Sequence, residues 1–372
     1  MKKYKSVKLI AFALALVLTL SLSACASPEE AKAAAQAAGG ASSAVQSTNT
    51  DNVKVTPSPA DAPWKNRKNE EVTVKAGFAK GMTGIANQYA IAMGWYKEAG
   101  INLDLLDAAN PVSAFGSGDV DIADGDPGTY IPAIANNVPI KIISNMWRSH
   151  GAYWIIAKPE IKTWADLKGK KVGVAQPTGG MKLTALEVLS KNGIDVNKDI
   201  EVVANGTYQT AYATLTSGQV DATIIHQPYA TLAEKDGVGH VLAKTWEYMP
   251  EYHTGVLVAS QKLIDEQPDA VQRILEVYFY TNNYAKTHLD KFLPWAAKYL
   301  NIDEATARKA IEAEIVLWEN DPIVDTKRLQ VTEDLLTKYG MQKQSYPVDG
   351  VVNNQFAEKI AQELKLGKYA SK

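Results

Sequence analysis

Two stretches of the chain carry the same pattern of apolar and polar positions, offset by about 100 residues. In residues 170–194, Val172 to Ala175 form a short apolar run that predicts a buried strand, and Gln176 to Gly180 break it. Met181, Leu183, Ala185, Leu186, Val188 and Leu189 then recur at helical spacing until Gly193 supplies a cap. The earlier copy opens with an alternating strand at 72–79. A loop, Lys80-Gly-Met-Thr-Gly84, leads into a helix with Ile85, Tyr89, Met93 and Tyr96 on one face, and Ala99-Gly100-Ile101 leads into a strand at 102–107. The later copy closes likewise, with Asn192-Gly193-Ile194 and a strand at 200–204.

A second correspondence follows each unit. Ala114-Phe115-Gly-Ser-Gly118-Asp-Val-Asp121-Ile-Ala matches Thr214-Leu215-Thr-Ser-Gly218-Gln-Val-Asp221-Ala-Thr, and each leads a buried strand into a polar loop containing proline, Asp124-Gly-Asp-Pro127 or His226-Gln-Pro228. Duplicated βαβ-αβ units predict two α/β lobes, each presenting its βα loops at the carboxyl ends of parallel strands, where open sheets bind ligands. The apolar strands at 153–157 and 255–259 are the expected crossings between lobes. From about residue 261 to 366 the periodicity is helical, which predicts a C-terminal extension packed on the first lobe. The expected divisions are 72–157 for the first part of lobe 1, 158–247 for lobe 2, and 248–372 for the return strand and C-terminal helices.

Composition adds compartment and removes some functions. With 46% hydrophobic and 22% charged residues and a net charge of −2, the chain has no basic excess to hold nucleic acid. Lysines at 2, 3, 5 and 8 precede an apolar run at 9–22, the layout of a signal peptide over residues 1–24. Leu22-Ser23-Ala24-Cys25 is similar to a bacterial lipobox, which implies lipidation of Cys25 and a membrane anchor of acyl chains. Because Cys25 is the only cysteine, the folded part has no disulfide, no cysteine-based metal cluster and no thiol nucleophile. Residues 25–71, rich in Ala, Ser, Gly, Thr, Asn and Pro, are expected to form a flexible stalk.

The lipobox, Tyr96-Lys-Glu-Ala-Gly-Ile101, Ser117-Gly-Asp-Val-Asp121, Trp164-Ala-Asp-Leu-Lys-Gly-Lys-Lys-Val-Gly-Val174 and Ser217-Gly-Gln-Val-Asp221 together resemble the solute-binding proteins of nitrate, sulfonate and taurine ABC importers. That family includes the binding proteins for pyrimidine precursors of thiamine. The resemblance covers residues 72–260 and, more loosely, the tail. It implies the type II periplasmic-binding-protein fold, α/β with two Rossmann-like lobes joined by two crossovers. It also implies a monomer that delivers a small molecule to an ABC permease with its ATPase, anchored on the extracytoplasmic face of a bacterial membrane, without enzymatic activity, cofactor or metal.

The resemblance places ligand contacts in four loops. In lobe 1 these are Lys80 to Thr83, including Met82, and Asp124 to Thr129, including Asp126; in lobe 2 they are Gln176 to Met181, and His226 to Tyr229. Trp147 and His253 come from the crossovers. From the residues themselves, Thr178, Gly179 and Gly180 sit where free N–H groups at a helix start favour an anion or polar acceptor, although Pro177 and the glycines also suffice for a tight turn. Trp147 at a strand end can stack on a ring or a methyl cation, or pack between lobes. Asp124 and Asp126 suit an amine or aminopyrimidine, and Asp126 before Pro127 equally suits a helix cap. His226 and Tyr229 offer donors toward the cleft. Two ligand classes therefore stand open: a sulfonate, nitrate or taurine-type anion on the helix start at 178–180, or a heteroaromatic stacked on Trp147 and paired with Asp124. No Ser/His/Asp order, phosphate loop or metal-ligand cluster supports an enzyme on the same fold.

Overall fold

The computed structural model describes residues 56–107, 111–147, 150–177 and 179–366. The signal segment, Cys25, the stalk up to residue 55, and Thr178 lie outside the described residues. One sheet contains β1 (Val72–Gly77), β2 (Ile101–Leu105), β3 (Ile122–Gly125), β4 (Ile140–Asn145) and β10 (Val256–Ser260), in the order β2-β1-β3-β10-β4. The other contains β5 (Trp154–Ala157), β6 (Lys171–Gly173), β7 (Glu201–Val203), β8 (Ala222–Ile225) and β9 (His240–Lys244), in the order β7-β6-β8-β5-β9. The two orders are equivalent. In each sheet the first three strands are parallel, and one antiparallel strand, β10 or β5, separates the third from the last. The fold is the two-lobed α/β architecture expected for a type II periplasmic binding protein.

The repeated Val-Asp pair explains why both copies fold alike. Asp121 Oδ2 accepts from Lys75 N of β1 at 3.0 Å, and Asp221 Oδ2 accepts from Lys171 N of β6 at 3.0 Å. Each carboxylate satisfies a strand amide that the ladder leaves unpaired, pinning the third strand beside the first. One boundary moves. Trp154–Ala157 pairs with β8 and β9, so lobe 2 starts at β5 and the crossover precedes it, earlier than the expected division after residue 157.

Helices α1 (Ile85–Met93), α2 (Trp95–Glu98), α3 (Pro111–Ser117) and α4 (Pro127–Ala135) flank the first sheet; α5 (Gly180–Lys191), α6 (Tyr208–Thr216) and α7 (Tyr229–Lys235) flank the second. The tail supplies α8 (Gln261–Glu266), α9 (Pro268–Thr287), α10 (Leu289–Leu300), α11 (Glu304–Ile315), α12 (Thr326–Lys338) and α13 (Gln355–Glu363). As expected, α9 packs on lobe 1 against α1 and α13, within a core holding Trp95, Tyr278, Phe279 and Phe292. The tail also reaches lobe 2, because α11 packs on α7 and α12 touches both α4 and α5. Two ion pairs tie it there: Lys235 Nζ to Asp303 Oδ2 at 2.8 Å, and Lys338 Nζ to Glu187 Oε2 at 2.6 Å.

Residues 56–71, assigned to the stalk by composition, are folded onto lobe 1. Trp64 is buried, with its ring 5.2 Å from that of Tyr280 and 6.4 Å from that of Trp95. The Trp95 indole donates to Thr56 O at 2.9 Å, Arg67 pairs with Glu276, and Arg273 Nη1 donates to Glu70 O at 2.8 Å. A single large aromatic anchor outweighs an otherwise polar composition, because burying one such ring offsets the ordering entropy of several residues.

Candidate ligand-binding site

The loops at the carboxyl ends of the parallel strands face one another, and a hydrogen bond and a close carboxylate contact join the lobes there. Thr83, in the turn between β1 and α1, shares a hydrogen bond of 2.8 Å with the hydroxyl of Tyr208, the first residue of α6. Asp126 makes the second. Its carboxylate caps its own helix, accepting from Gly128 N at 2.8 Å, and its Oδ2 lies against Gly180 at the start of α5 in lobe 2, where a Cβ of that residue would stand. The helix-start amides flagged as an anion site are thus met by a carboxylate of the protein itself. Burial pushes the Asp126 pKa up to about 6, against the two N–H donors that favour the charged form. The Tyr252 hydroxyl stands beside that carboxylate, and burial, reinforced by Asp126, raises its pKa well above the ordinary value.

Lobe 2 lines its side with rings. Tyr208 lies stacked on His226, centroids 5.0 Å apart and planes 14° from parallel, and Tyr153 meets the same imidazole edge-on at 4.8 Å. Tyr208 holds φ +51°, a left-handed conformation unusual for a bulky side chain, and such outliers concentrate at functional positions. Tyr229, half-buried, packs 5.7 Å from Tyr212, and burial, then Tyr208, raises its pKa. From lobe 1, Gly81 N donates to the Tyr299 hydroxyl at 3.1 Å.

The predicted residues therefore divide. Thr83, Asp126, Gly180 and His226 lie at the lobe junction, with Tyr229 packed against Tyr212 and Gly179 preceding α5. Asp124 Oδ1 accepts from Ala79 N at 2.7 Å, so this carboxylate holds the loop after β1. Lys80 pairs with Asp107 at 3.0 Å on the surface, and Gln176 is exposed. Met82 is 1% exposed in the lobe 1 core, and Met181 packs with Val174 and Tyr153 in lobe 2. Trp147 is 0% exposed and lies edge-on to Trp318 at 4.9 Å, a core position that offers no stacking surface. His253 is also 0% exposed; burial, then Arg328, lowers its pKa to about 3, and its Nε2 contacts Gly255 O at 3.1 Å.

Tyr208 and Tyr153 were missed. Tyr208 follows Asn205-Gly206-Thr207 at the end of β7, a carboxyl-end loop like the others, and that position was the available signal. Among the described residues no group of His, Cys, Asp and Glu is gathered to hold a metal. A cavity of about 710 Å³ lies elsewhere, between Lys182, Leu186 and Ser190 of α5 and Lys338 and Tyr339, and no predicted site residue lines it.

The profile of the family described as NMT1/THI5 like matches residues 83–290, more than half of the chain and both halves of this junction. The chain belongs to the NMT1/THI5-like family. A curated relative named "Putative binding protein YtlA", from Bacillus subtilis (strain 168), is 24% identical over 288 residues, 74% of this chain and 85% of the relative. Among solved structures, the alkanesulfonate-binding protein SsuA from Xanthomonas axonopodis pv. citri, bound to MOPS, superposes with a TM-score of 0.63 at 18% identity, covering 77% of this chain and all of that one. The desulfurization enzyme DszB also shares the fold, with a TM-score of 0.58 at 17% identity over 78% of this chain and 99% of its own. At these identities the likeness to both structures is one of fold.

Proposed function

We propose that this NMT1/THI5-like protein is the solute-binding component of an ABC importer, capturing a small molecule between its lobes and handing it to a permease with its ATPase. Acyl chains on Cys25 would hold it at the extracytoplasmic face of the membrane. The carrying observation is the pair of contacts across the junction, the Thr83–Tyr208 hydrogen bond and the Asp126 carboxylate against Gly180, made by the loops that open α/β sheets use for ligands. Lobes joined by two crossovers and latched at their facing strand ends suit capture by hinge closure, with the ligand biasing the closed state.

For the ligand, the half-buried ring of Tyr208, backed by His226, supports a small heteroaromatic such as an aminopyrimidine, which stacks on such a face. The second reading, a sulfonate, nitrate or taurine-type anion, is supported by the name of the fold neighbour SsuA. DszB keeps enzymes within the reach of the fold, and turnover of a bound solute by the purified chain would overturn a binding role.

A thermal-shift panel of aminopyrimidines, alkanesulfonates, taurine and nitrate on the full-length chain tests both readings. For whichever compound binds, Thr83→Val should weaken affinity by about 3- to 10-fold, the effect of one net hydrogen bond in the closed state. No shift with any compound overturns the ligand classes proposed, and an unchanged affinity in Thr83→Val removes the closure argument.

A further inference from the structure

The start of α5 is an anion seat that is already filled from the opposite lobe. Asp126 is fixed on lobe 1 by its own cap bond to Gly128 and by the rigid Pro127 that follows it. From there the carboxylate reaches the start of α5 across the junction, its Oδ2 lying where a Cβ of residue 180 would stand. The approach needs glycine at 180: a Cβ there would overlap Asp126 Oδ2 and stand 2.9 Å from the Tyr252 hydroxyl. Two features of different lobes, a capped carboxylate and a side-chain-free helix start, are thus shaped to each other.

We propose that Asp126 sets the charge selectivity of the cleft: as a built-in anion on the α5 start, it keeps free anionic solutes out and leaves the ring-lined wall to an uncharged or cationic one. This inference rests on the solute-binding reading above. A tethered carboxylate competes at an effective concentration of about millimolar or more, so a free anion must displace it as well as bind. An anion lodged nearby without displacing it would face like charge in a partly desolvated junction. A neutral or cationic ring meets neither obstacle, and an amino group on it gains an acceptor.

The test uses Asp126→Ser and Asp126→Asn in the full-length chain. Serine retains the cap on α4 but is too short to span to Gly180, and asparagine retains size without charge. Circular dichroism first establishes that each variant is folded, and two cap-competent replacements keep the test available if one is not. Titration calorimetry with methanesulfonate and with nitrate then reads the seat. The expected result is at least a 10-fold gain in affinity for one of these anions in the folded variant over the unmodified chain. Equal affinity in the unmodified chain and the variants, or no gain in either folded variant, overturns the inference. The aminopyrimidine arm of the panel is independent: if nothing binds the unmodified chain while Asp126→Ser gains an anion, the ring-ligand reading fails and the selectivity role stands.

Discussion

Gly180→Ala separates the lobes without touching the hinge. The added methyl overlaps Asp126 Oδ2 and crowds the Tyr252 hydroxyl at 2.9 Å, and since Gly180 already lies in an α-helix, alanine itself is no backbone problem. Relief requires the carboxylate to retreat from the start of α5. A carboxylate at a helix N-terminus contributes about 0.3–2 kcal/mol, so closure should weaken by roughly 2- to 30-fold. Small-angle scattering should then give a larger radius of gyration for the variant at equal secondary-structure content. Gly116→Ala is the control, since a Cβ there meets nothing within 4 Å and the glycine lies in α3. If Gly180→Ala has the same radius of gyration as Gly116→Ala, Asp126 is not a latch and its contact with Gly180 is incidental.

Three other outcomes follow from the packing and the titrating groups. Trp147→Ala should destabilise by about 3–5 kcal/mol in denaturant melts, as a core cavity beside Trp318 does. A chain beginning at residue 72, which discards Trp64 from its place against Tyr280 and Trp95, should melt about 6 °C or more below one beginning at residue 56. His253 and Asp126 should give stability–pH slopes of opposite sign. His253, held neutral with a pKa near 3, contributes stability that is present above pH 6.5 and lost as pH falls toward 3, so His253→Gln should remove up to about 1.4 kcal/mol per pH unit of that slope. Asp126, raised from 3.8 to about 6, makes the folded state bind the proton more tightly, so its contribution falls as pH rises through that window, and Asp126→Asn should steepen the remaining loss on acidification.

The duplicated architecture was legible because its determinants are local. Ser-Gly caps, Val-Asp pairs and Gly-Ile turns recur within each copy, and Asp121 and Asp221 each bond the strand beside their own. The lobe boundary was harder, because the apolar run at 154–157 reads the same in either sheet and only its partners β8 and β9 decide. Site residues divided on the same principle. Thr83 and His226, which the resemblance placed in loops after strands, lie at the lobe junction because those loops sit at the carboxyl ends of the sheets. Trp147 misled because an aromatic after a strand looks exposed until Trp318, far along the chain, arrives to cover it. Asp126 was legible as a cap on α4, but its contact with Gly180 depends on the approach of the other lobe, which no local pattern encodes.

The antiparallel return strand also dictates an order of assembly. β4 joins its sheet only through β10, and β10 in turn bridges back to β3, with Val256 opposite both Gly125 and Asn145. Lobe 2 has no such dependence, since β5 to β9 run consecutively from Trp154 to Lys244. A chain emerging from its N-terminus can therefore complete its second sheet first, while the first waits, open at β3, until residue 260 is free. Pairing across so long a loop is slow. Lobe 1, with both edges of that gap unpaired, is the half that must be kept from aggregating until the C-terminal third arrives.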